Sequence, residues 1–382
     1  MNDYYSKINF YNKNSGKIAG FDLDSTLIKT QSGRVRPKDK FDWQFYISNL
    51  KEVLLNLQKE EYNIVIFTNQ SGLSKSEEKR KDFLFKINSI LFELGHQLKI
   101  SYFIANTYNR YRKPMIGFLD LLKEEYGKIN FKKSFYCGDA AGRPANWKYS
   151  YNGNEFLNKK KDFSASDLYF AHNMNFRFYT PEEFFFNKNF TSDAVLLPDR
   201  PFLDYYHKKI NNELNLKLKN TEKYLIMMIG LPASGKSYLS KIIKNIHKNF
   251  NFQIINQDGL VTKSKFNKLL KECIDKEDNI IIDNTNLKKK DRDIYFDLIN
   301  KKKKDYKVIG IQLTTDLGII NQLNYFRCYF TNNFIKKVVY NTLKKRMEIN
   351  NLQNENFDKL ITYNYQPKFK NKLEEKIFFM YY

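Results

Sequence analysis

At 382 residues the chain exceeds the length at which a single hydrophobic core stops growing, and 42% of its residues are apolar or aromatic, so two folded domains are expected and wholesale disorder is excluded. The 65 basic against 42 acidic side chains leave a net charge of +23, which concentrates polyanions at the surface and makes nucleic acid the natural partner. A lysine-rich solvated surface reads the same way from charge alone, because Lys, Asn, Ile, Tyr and Phe all run high in this sequence.

The start of the chain, MNDYYSKINFYNK, lacks the apolar core of a signal peptide, and no apolar run is long enough to cross a bilayer. Cys137, Cys273 and Cys328 form no CxxC pair and fit no zinc knuckle, which points to a reducing compartment. A soluble, intracellular protein without a membrane partner is expected.

Residues 17–23, KIAGFDL, open a series of short apolar strands that continues with NIVIFTN at 63–69, ISYFIAN at 100–106 and SFYCGD at 134–139. Helical stretches such as WQFYISNLKEVLLNLQKE and EKRKDFLFKINSILFELG lie between them. This alternation predicts a parallel sheet covered on both faces. Asp22 and Asp24 stand at the end of the first strand, where open parallel sheets bind ligands, and side chains two apart share a face. Two carboxylates held together repel, so they need a cation or divided protonation states. Thr68 and Asn69 end the second strand, Lys113 precedes Pro114, and Asp139 ends SFYCGD. A hydroxyl, an ammonium and a third carboxylate are what a phosphate-plus-magnesium site requires.

Residues 201–220 are polar and read as a linker, or as a helix leading into one, between a domain at 1–200 and a second at 221–382. The second series runs through YLIMMIG at 224–230, FQIIN at 252–256, NIIID at 279–283 and YKVIGIQL at 306–313, with KIFFMYY near the end as a candidate last strand. GLPASGKS, residues 230–237, follows an apolar strand and opens a helix, the context a P-loop requires. Its glycines let backbone N–H groups wrap phosphates; Gly230, Ser234, Gly235, Lys236 and Ser237 are expected to bind ATP, with Ser237 also on Mg²⁺. Asp258 follows the next strand, in the position of an acceptor-activating carboxylate, and Asp283 ends another as a Walker-B-like acid, beside the loop donors Asn284, Thr285 and Asn286. Arg327 sits in a helical stretch in a lid position.

The ordered set Asp-Leu-Asp-x-Thr, Thr-Asn, Lys-Pro, Gly-Asp resembles the haloacid-dehalogenase phosphatases. The resemblance implies Asp22 as nucleophile through an aspartyl-phosphate, Asp24 as acid and then base, and Thr68 and Lys113 on the phosphoryl oxygens. It implies Mg²⁺ on Asp22, Asp139 and the carbonyl of Asp24.

Both halves together resemble the eukaryotic-type polynucleotide kinase/3′-phosphatases. Supporting segments include GKIAGFDLDSTLIKTQSGRV, IFTNQSG, CGDAAGRPANW, KKDFSASDLYFAHN, TPEEFFF and IIDNTN. That family implies an α/β chain of two domains, a haloacid-dehalogenase-like Rossmannoid phosphatase followed by a P-loop kinase with a parallel sheet. The implied activities are removal of 3′-phosphates and transfer of the ATP γ-phosphate to 5′-hydroxyls at DNA strand breaks, with Asp258 as general base and Lys236 and Arg327 stabilising charge. Arg112, just before the motif lysine, matches an arginine of the phosphatase pocket; Asn69, Asn284 and Thr285 are candidate substrate contacts. RNA ends present the same termini and stay open as an alternative substrate. About sixteen residues precede the first expected strand, so no forkhead-associated phosphopeptide partner is expected. A monomer acting in the nucleus, or where viral or organellar DNA is replicated and repaired, is the expected setting. Gln257 stands where many relatives have arginine, a departure that bears on the kinase half.

Overall fold

A computed structural model describes residues 4–151, 154–158, 160–186, 195–208, 214–257 and 262–382. The chain divides into two compact units, one of Met1–Asp199 with Cys328–Asn333 and Phe379–Tyr382, the other of Arg200–Arg327 with Phe334–Phe378. Among the described residues no helix is long and apolar enough to cross a membrane, and all three cysteines are buried and outside any disulfide.

The first unit is built on six strands: β1 (Tyr4–Lys7), β2 (Ile18–Phe21), β3 (Asn63–Asn69), β4 (Ile100–Ala105), β5 (Phe135–Cys137) and β6 (Arg177–Tyr179). Their order is β1-β4-β3-β2-β5-β6, parallel except for β1, which pairs antiparallel with the edge of β4. The edge strand β1 has only partly buried and exposed residues, so it carries no apolar run for a sequence pattern to detect. In β3 successive side chains point to opposite faces, and both faces are buried. Ile64 and Ile66 join an aliphatic cluster with Leu50, Leu54, Ile87 and Ile90, the last two from α2 (Glu77–Leu94). Phe67 faces the other way into an aromatic cluster. Its ring centroid lies 5.6 Å from Phe103, 5.3 Å from Phe170 and 6.1 Å from Tyr136.

The second unit carries β7 (Lys223–Ile229), β8 (Gln253–Ile255), β9 (Ile280–Ile282), β10 (Tyr306–Leu313) and β11 (Lys359–Tyr363), all parallel in the order β8-β9-β7-β10-β11. β7 again buries both faces, Leu225 and Met227 on one, Ile226 and Met228 on the other. Residues 201–220, expected as a linker, fall in this unit and contain the helix Phe202–His207. The candidate last strand KIFFMYY is corrected: its first part ends the helix Lys372–Phe378, and β11 closes the sheet instead. Four apolar residues in a row cannot distinguish strand from helix. Here Asn371 Oδ1 accepts from the Glu374 N–H, and Glu374 accepts from the Lys370 N–H, which starts a helix that buries Ile377 and Phe378.

Arg292 is fully buried on the helix Lys289–Lys302 and ties together three segments near the ends of β9 and β11. Its guanidinium donates to both oxygens of Glu355 at 2.7 and 2.5 Å, to the Asn286 carbonyl at 2.8 Å and to the Glu348 carbonyl at 2.6 Å. Removing one partner of such a pair leaves a buried charge uncompensated. Glu355→Ala is expected to destabilise the protein by about 3–5 kcal/mol, read as a lower urea midpoint by far-UV circular dichroism. An unchanged midpoint would contradict this role for Arg292.

Candidate active site

The first constellation assembles at the C-terminal ends of four neighbouring parallel strands, β4, β3, β2 and β5. Asp22 follows β2, with its N–H donating to the Cys137 carbonyl of β5 at 2.9 Å, so its backbone is fixed by the sheet itself. Lys113, 4% exposed, reaches in from the loop after β4. Its ammonium donates to Asp22 Oδ1 at 2.6 Å, to the Tyr136 hydroxyl at 2.7 Å and to Asp167 Oδ1 at 2.7 Å. Three donors meet three acceptors, which saturates the group. Partners hold it elsewhere too: Asn69 Oδ1 accepts from the Lys113 N–H at 2.9 Å and Asn69 Nδ2 donates to its carbonyl at 3.1 Å. Asn69, expected as a substrate contact, therefore has both side-chain polar atoms on the lysine backbone.

Asp167 lies in the first turn of α4 (Ser166–Met174), which follows α1 (Leu50–Lys59), α2 and α3 (Gly117–Tyr126) along the chain. Its Oδ2 accepts from the Ala140 N–H at 3.0 Å and its Oδ1 from the Tyr136 hydroxyl at 3.1 Å. A Cβ on Gly138 would stand 2.5 Å from Asp167 Cγ, so the carboxylate reaches the site only because that position has no side chain. Ligand atoms of Asp22, Asp139 and Asp167 all lie within 4.8 Å of one another. Burial pushes the Asp22 carboxyl up to about 7; Lys113 opposes the rise, and Asp167 and Asp24 add to it. Burial likewise raises Asp139 well above the usual carboxylate range, with Asp167 and Asp22 adding to it. Three carboxylates against one ammonium make a hard, oxygen-only, negatively charged cluster that fits a divalent cation such as Mg²⁺.

Asp24 is turned elsewhere. Its Oδ1 accepts from Lys86 at 2.9 Å and its Oδ2 from Gln70 Nε2 at 2.7 Å. Gln70 also donates to Thr68 Oγ1 at 3.1 Å, so Thr68 and Asp24 share one donor. Asp24 and Lys86 border an open cleft of about 750 Å³, also lined by Lys29, Arg34, Lys79 and Phe163. The structure gives Arg112 a stacking partner: its guanidinium lies 4.5 Å from the centre of the Tyr108 ring.

In the second unit, the loop after β7 leads into α5 (Lys236–Ile246). Gly235 has φ +99, and a Cβ there would come within 2.4 Å of the Tyr365 ring, so the loop needs glycine on both counts. The Gly230 N–H donates to the Thr285 carbonyl at 3.0 Å, which joins the loop to the end of β9. Lys236 Nζ donates to the carbonyls of Gly230 and Leu231 at 3.0 and 2.7 Å. Ser234 Oγ is buried without a hydrogen-bond partner among the described residues, and Ser237 is exposed. Asp283 is buried and accepts from Asn256 Nδ2 at 3.3 Å. Asn284 Oδ1 accepts from the Gln257 N–H at 2.9 Å, and Asn286 Nδ2 donates to the Met228 carbonyl of β7 at 2.7 Å. Asp258 lies outside the described residues. Arg327, half-buried, acts electrostatically on Tyr340, whose hydroxyl donates to the Pro232 carbonyl of the loop at 3.1 Å. Burial pushes that phenol up to about 12, and Arg327 opposes the rise.

Four groups of the first site were not singled out from the sequence: Asp167, Tyr136, Lys86 and Gln70. Lys86 left a legible signal, a lysine within the apolar stripe of Phe83, Ile87, Ile90 and Leu94. Asp167 left none, since acidic residues in a first helical turn are ordinary.

A family described as Polynucleotide kinase 3 phosphatase matches residues 17–185. A Schizosaccharomyces pombe protein named bifunctional polynucleotide phosphatase/kinase is 31% identical over 347 residues, covering 88% of this chain and 77% of that one. A relative from Acanthamoeba polyphaga mimivirus, provisionally given the same name, is 32% identical over 370 residues, covering 91% and 84%. A polynucleotide 3′-phosphatase of Arabidopsis thaliana is 32% identical over 188 residues, 45% of this chain and 24% of its own length.

If the three-carboxylate cluster holds a divalent cation, Mn²⁺ should bind at one tight site and raise the melting temperature. Asp139→Asn should weaken that site at least about 100-fold, as followed by paramagnetic resonance titration. Unaltered Mn²⁺ affinity in the variant would rule the cluster out.

Proposed function

The chain belongs to the family of bifunctional polynucleotide phosphatase/kinases, and from that premise we propose how its two sites divide the work: the first removes 3′-phosphate from broken DNA strands, and the second phosphorylates 5′-hydroxyls with ATP. The observation that carries the reading is Asp22 itself. It is a buried carboxylate pinned through Oδ1 by Lys113, with Oδ2 accepting no hydrogen bond among the described residues.

In the phosphatase reaction, Asp22 Oδ2 attacks phosphorus, and the bond to the 3′-oxygen breaks as the aspartyl-phosphate forms. Asp24, carrying a proton taken up from cleft water, delivers it to the leaving oxygen; it then takes the proton of the water that hydrolyses the intermediate. Thr68, on β3 next to β2, holds a phosphoryl oxygen, and Lys113 gives up one of its three present acceptors to hold another. Asp22, Asp139 and Asp167, with the carbonyl of Asp24, would hold Mg²⁺, which neutralises phosphoryl charge when bound. The cleft beside Asp24 carries Lys29, Arg34, Arg36, Lys40, Lys79 and Lys86 against Asp24, Asp39, Asp42 and Asp82, and that basic excess suits a polyanion.

In the kinase reaction, the glycine-bounded loop and the first turn of α5 cradle the ATP phosphates with backbone N–H groups. Ser234 Oγ is a spare donor buried within that loop. Lys236, which now caps the loop's own carbonyls, swings to the β- and γ-phosphates, and Ser237 with Asp283 would hold Mg²⁺. Asp258 takes the proton of the 5′-hydroxyl, Arg327 stabilises the transferring phosphoryl group, and Asn284 and Thr285 line the acceptor side.

The direct test is one labelled oligonucleotide with a 3′-phosphate and a 5′-hydroxyl, incubated with ATP and Mg²⁺, beside a matched RNA. Both ends of the DNA are expected to be converted; conversion of the RNA alone would transfer the reading to RNA repair. Asp22→Asn should reduce 3′-dephosphorylation to background and leave 5′-phosphorylation intact, while Lys236→Ala should lower 5′-phosphorylation at least about 10²-fold and leave 3′-dephosphorylation intact. Loss of both reactions in either folded variant would end the two-site account. The affinity for single-stranded DNA should fall with salt, with a log–log slope of about −0.7 for each phosphate contacted. A flat response is incompatible with a grip made by charge.

A further inference from the structure

Asp24 is held in a way that conflicts with its proposed task. Both oxygens already accept strong donors, Lys86 at 2.9 Å and Gln70 at 2.7 Å. An oxygen facing an ammonium cannot hand a proton to a leaving group. The Lys86 side chain is only 7% exposed, whereas that of Asp24 is 46% exposed, so the lysine is the fixed partner and the aspartate the mobile one. Lys86 nevertheless borders the cleft, beside Arg34, Arg36 and Lys79. Those three form no ion pair with a carboxylate among the described residues, whereas Lys40 is tied to Asp82 at 2.8 Å. A strand end in the cleft therefore brings its phosphodiesters to a surface where Lys86 is the one cleft cation bound to Asp24.

We propose that Lys86 and Gln70 are positioning residues that hold Asp24 at rest, and that the phosphodiester next to the terminal 3′-nucleotide competes for Lys86 and frees Asp24 to turn to the leaving oxygen. The inference rests on the assignment of Asp24 as the proton-transferring group. It supplies a basis for selectivity: a small phosphate ester that reaches Asp22 has no neighbouring phosphodiester and leaves Asp24 engaged. Gln70 couples the same change to Thr68, since releasing Asp24 leaves its amide free to follow the threonine hydroxyl.

The test is a cycle of two changes. One is Lys86→Met, which keeps the length of the buried stem without its charge. The other is an oligonucleotide 3′-phosphate whose last internucleotide linkage is a neutral methylphosphonate. With the unaltered enzyme, the neutral linkage should lower kcat at least about tenfold, because the loss falls after binding. With Lys86→Met the same neutral linkage should change kcat less than about twofold. Lys86→Arg should restore the dependence on the charged linkage. The proposal is overturned if the neutral linkage costs the same factor in both enzymes, or if its effect in the unaltered enzyme is confined to KM. Should Lys86→Met fail to fold, the unaltered enzyme decides alone, through the kcat ratio for the charged and neutral linkages. An unaltered enzyme that releases no phosphate from any 3′-phosphorylated oligonucleotide would instead show that the 3′-phosphatase reading had failed.

Discussion

A lysine ammonium sealed between two aspartates is the constraint from which the first site follows. Burial pulls the Lys113 pKa down, but Asp167 and Asp22 more than offset this and raise it above the ordinary lysine value. The lysine also holds Asp22 Oδ1 in place, so the carboxylate presents its other oxygen without searching rotamers. The surrounding structure exists largely to keep that geometry. Tyr136 is oriented by the aromatic cluster of Phe67 and Phe170, and its hydroxyl is the third ligand of the ammonium. Asn69 grips the lysine backbone, and the bare Cα of Gly138 admits Asp167.

The second unit solves a phosphate problem by other means. In the proposed function its loop relies on backbone N–H groups and a helix start, not on a carboxylate nucleophile. The shape of the loop is enforced from both sides, by Tyr365 packed on Gly235 and by the Thr285 carbonyl accepting from Gly230. Asn286 and Arg292 then bind the end of β9 to β7 and to the segment around Glu348 and Glu355. Both sites lie beyond the C-terminal ends of parallel strands, the end where open sheets leave room for ligands. The proposed nucleophile Asp22 and the proposed phosphate-wrapping loop, in one basic chain, suit the two opposite changes needed at a broken strand.

The residues legible in the sequence were those that end strands. Asp22, Thr68, Asp139 and Asp283 each lie at the end of an apolar run that reads as a strand, so their place at strand ends, three in the first sheet and Asp283 in the second, could be expected before any coordinates. Lys113 was legible only as part of an ordered set, because it sits in a loop. Asp167, Tyr136 and Gln70 act through tertiary contacts that no local period records. Lys86 was written in the pattern as a charge on a buried stripe, yet only the structure shows that Asp24 is its partner. The same limit explains the C-terminal segment: its apolar run marked burial correctly, while the capping by Asn371 decided for helix over strand.

The proposed phosphatase chemistry rests most on Asp22 taking the phosphoryl group from the strand end. Rapid acid quench of enzyme with a 3′-phosphorylated oligonucleotide, followed by borohydride reduction and peptide mass spectrometry, reads this directly, because reduction turns an aspartyl-phosphate into homoserine. The expected result is homoserine at position 22 alone, in amounts that rise and fall within a single turnover. Homoserine at another aspartate, or turnover with none formed at position 22, would contradict the account.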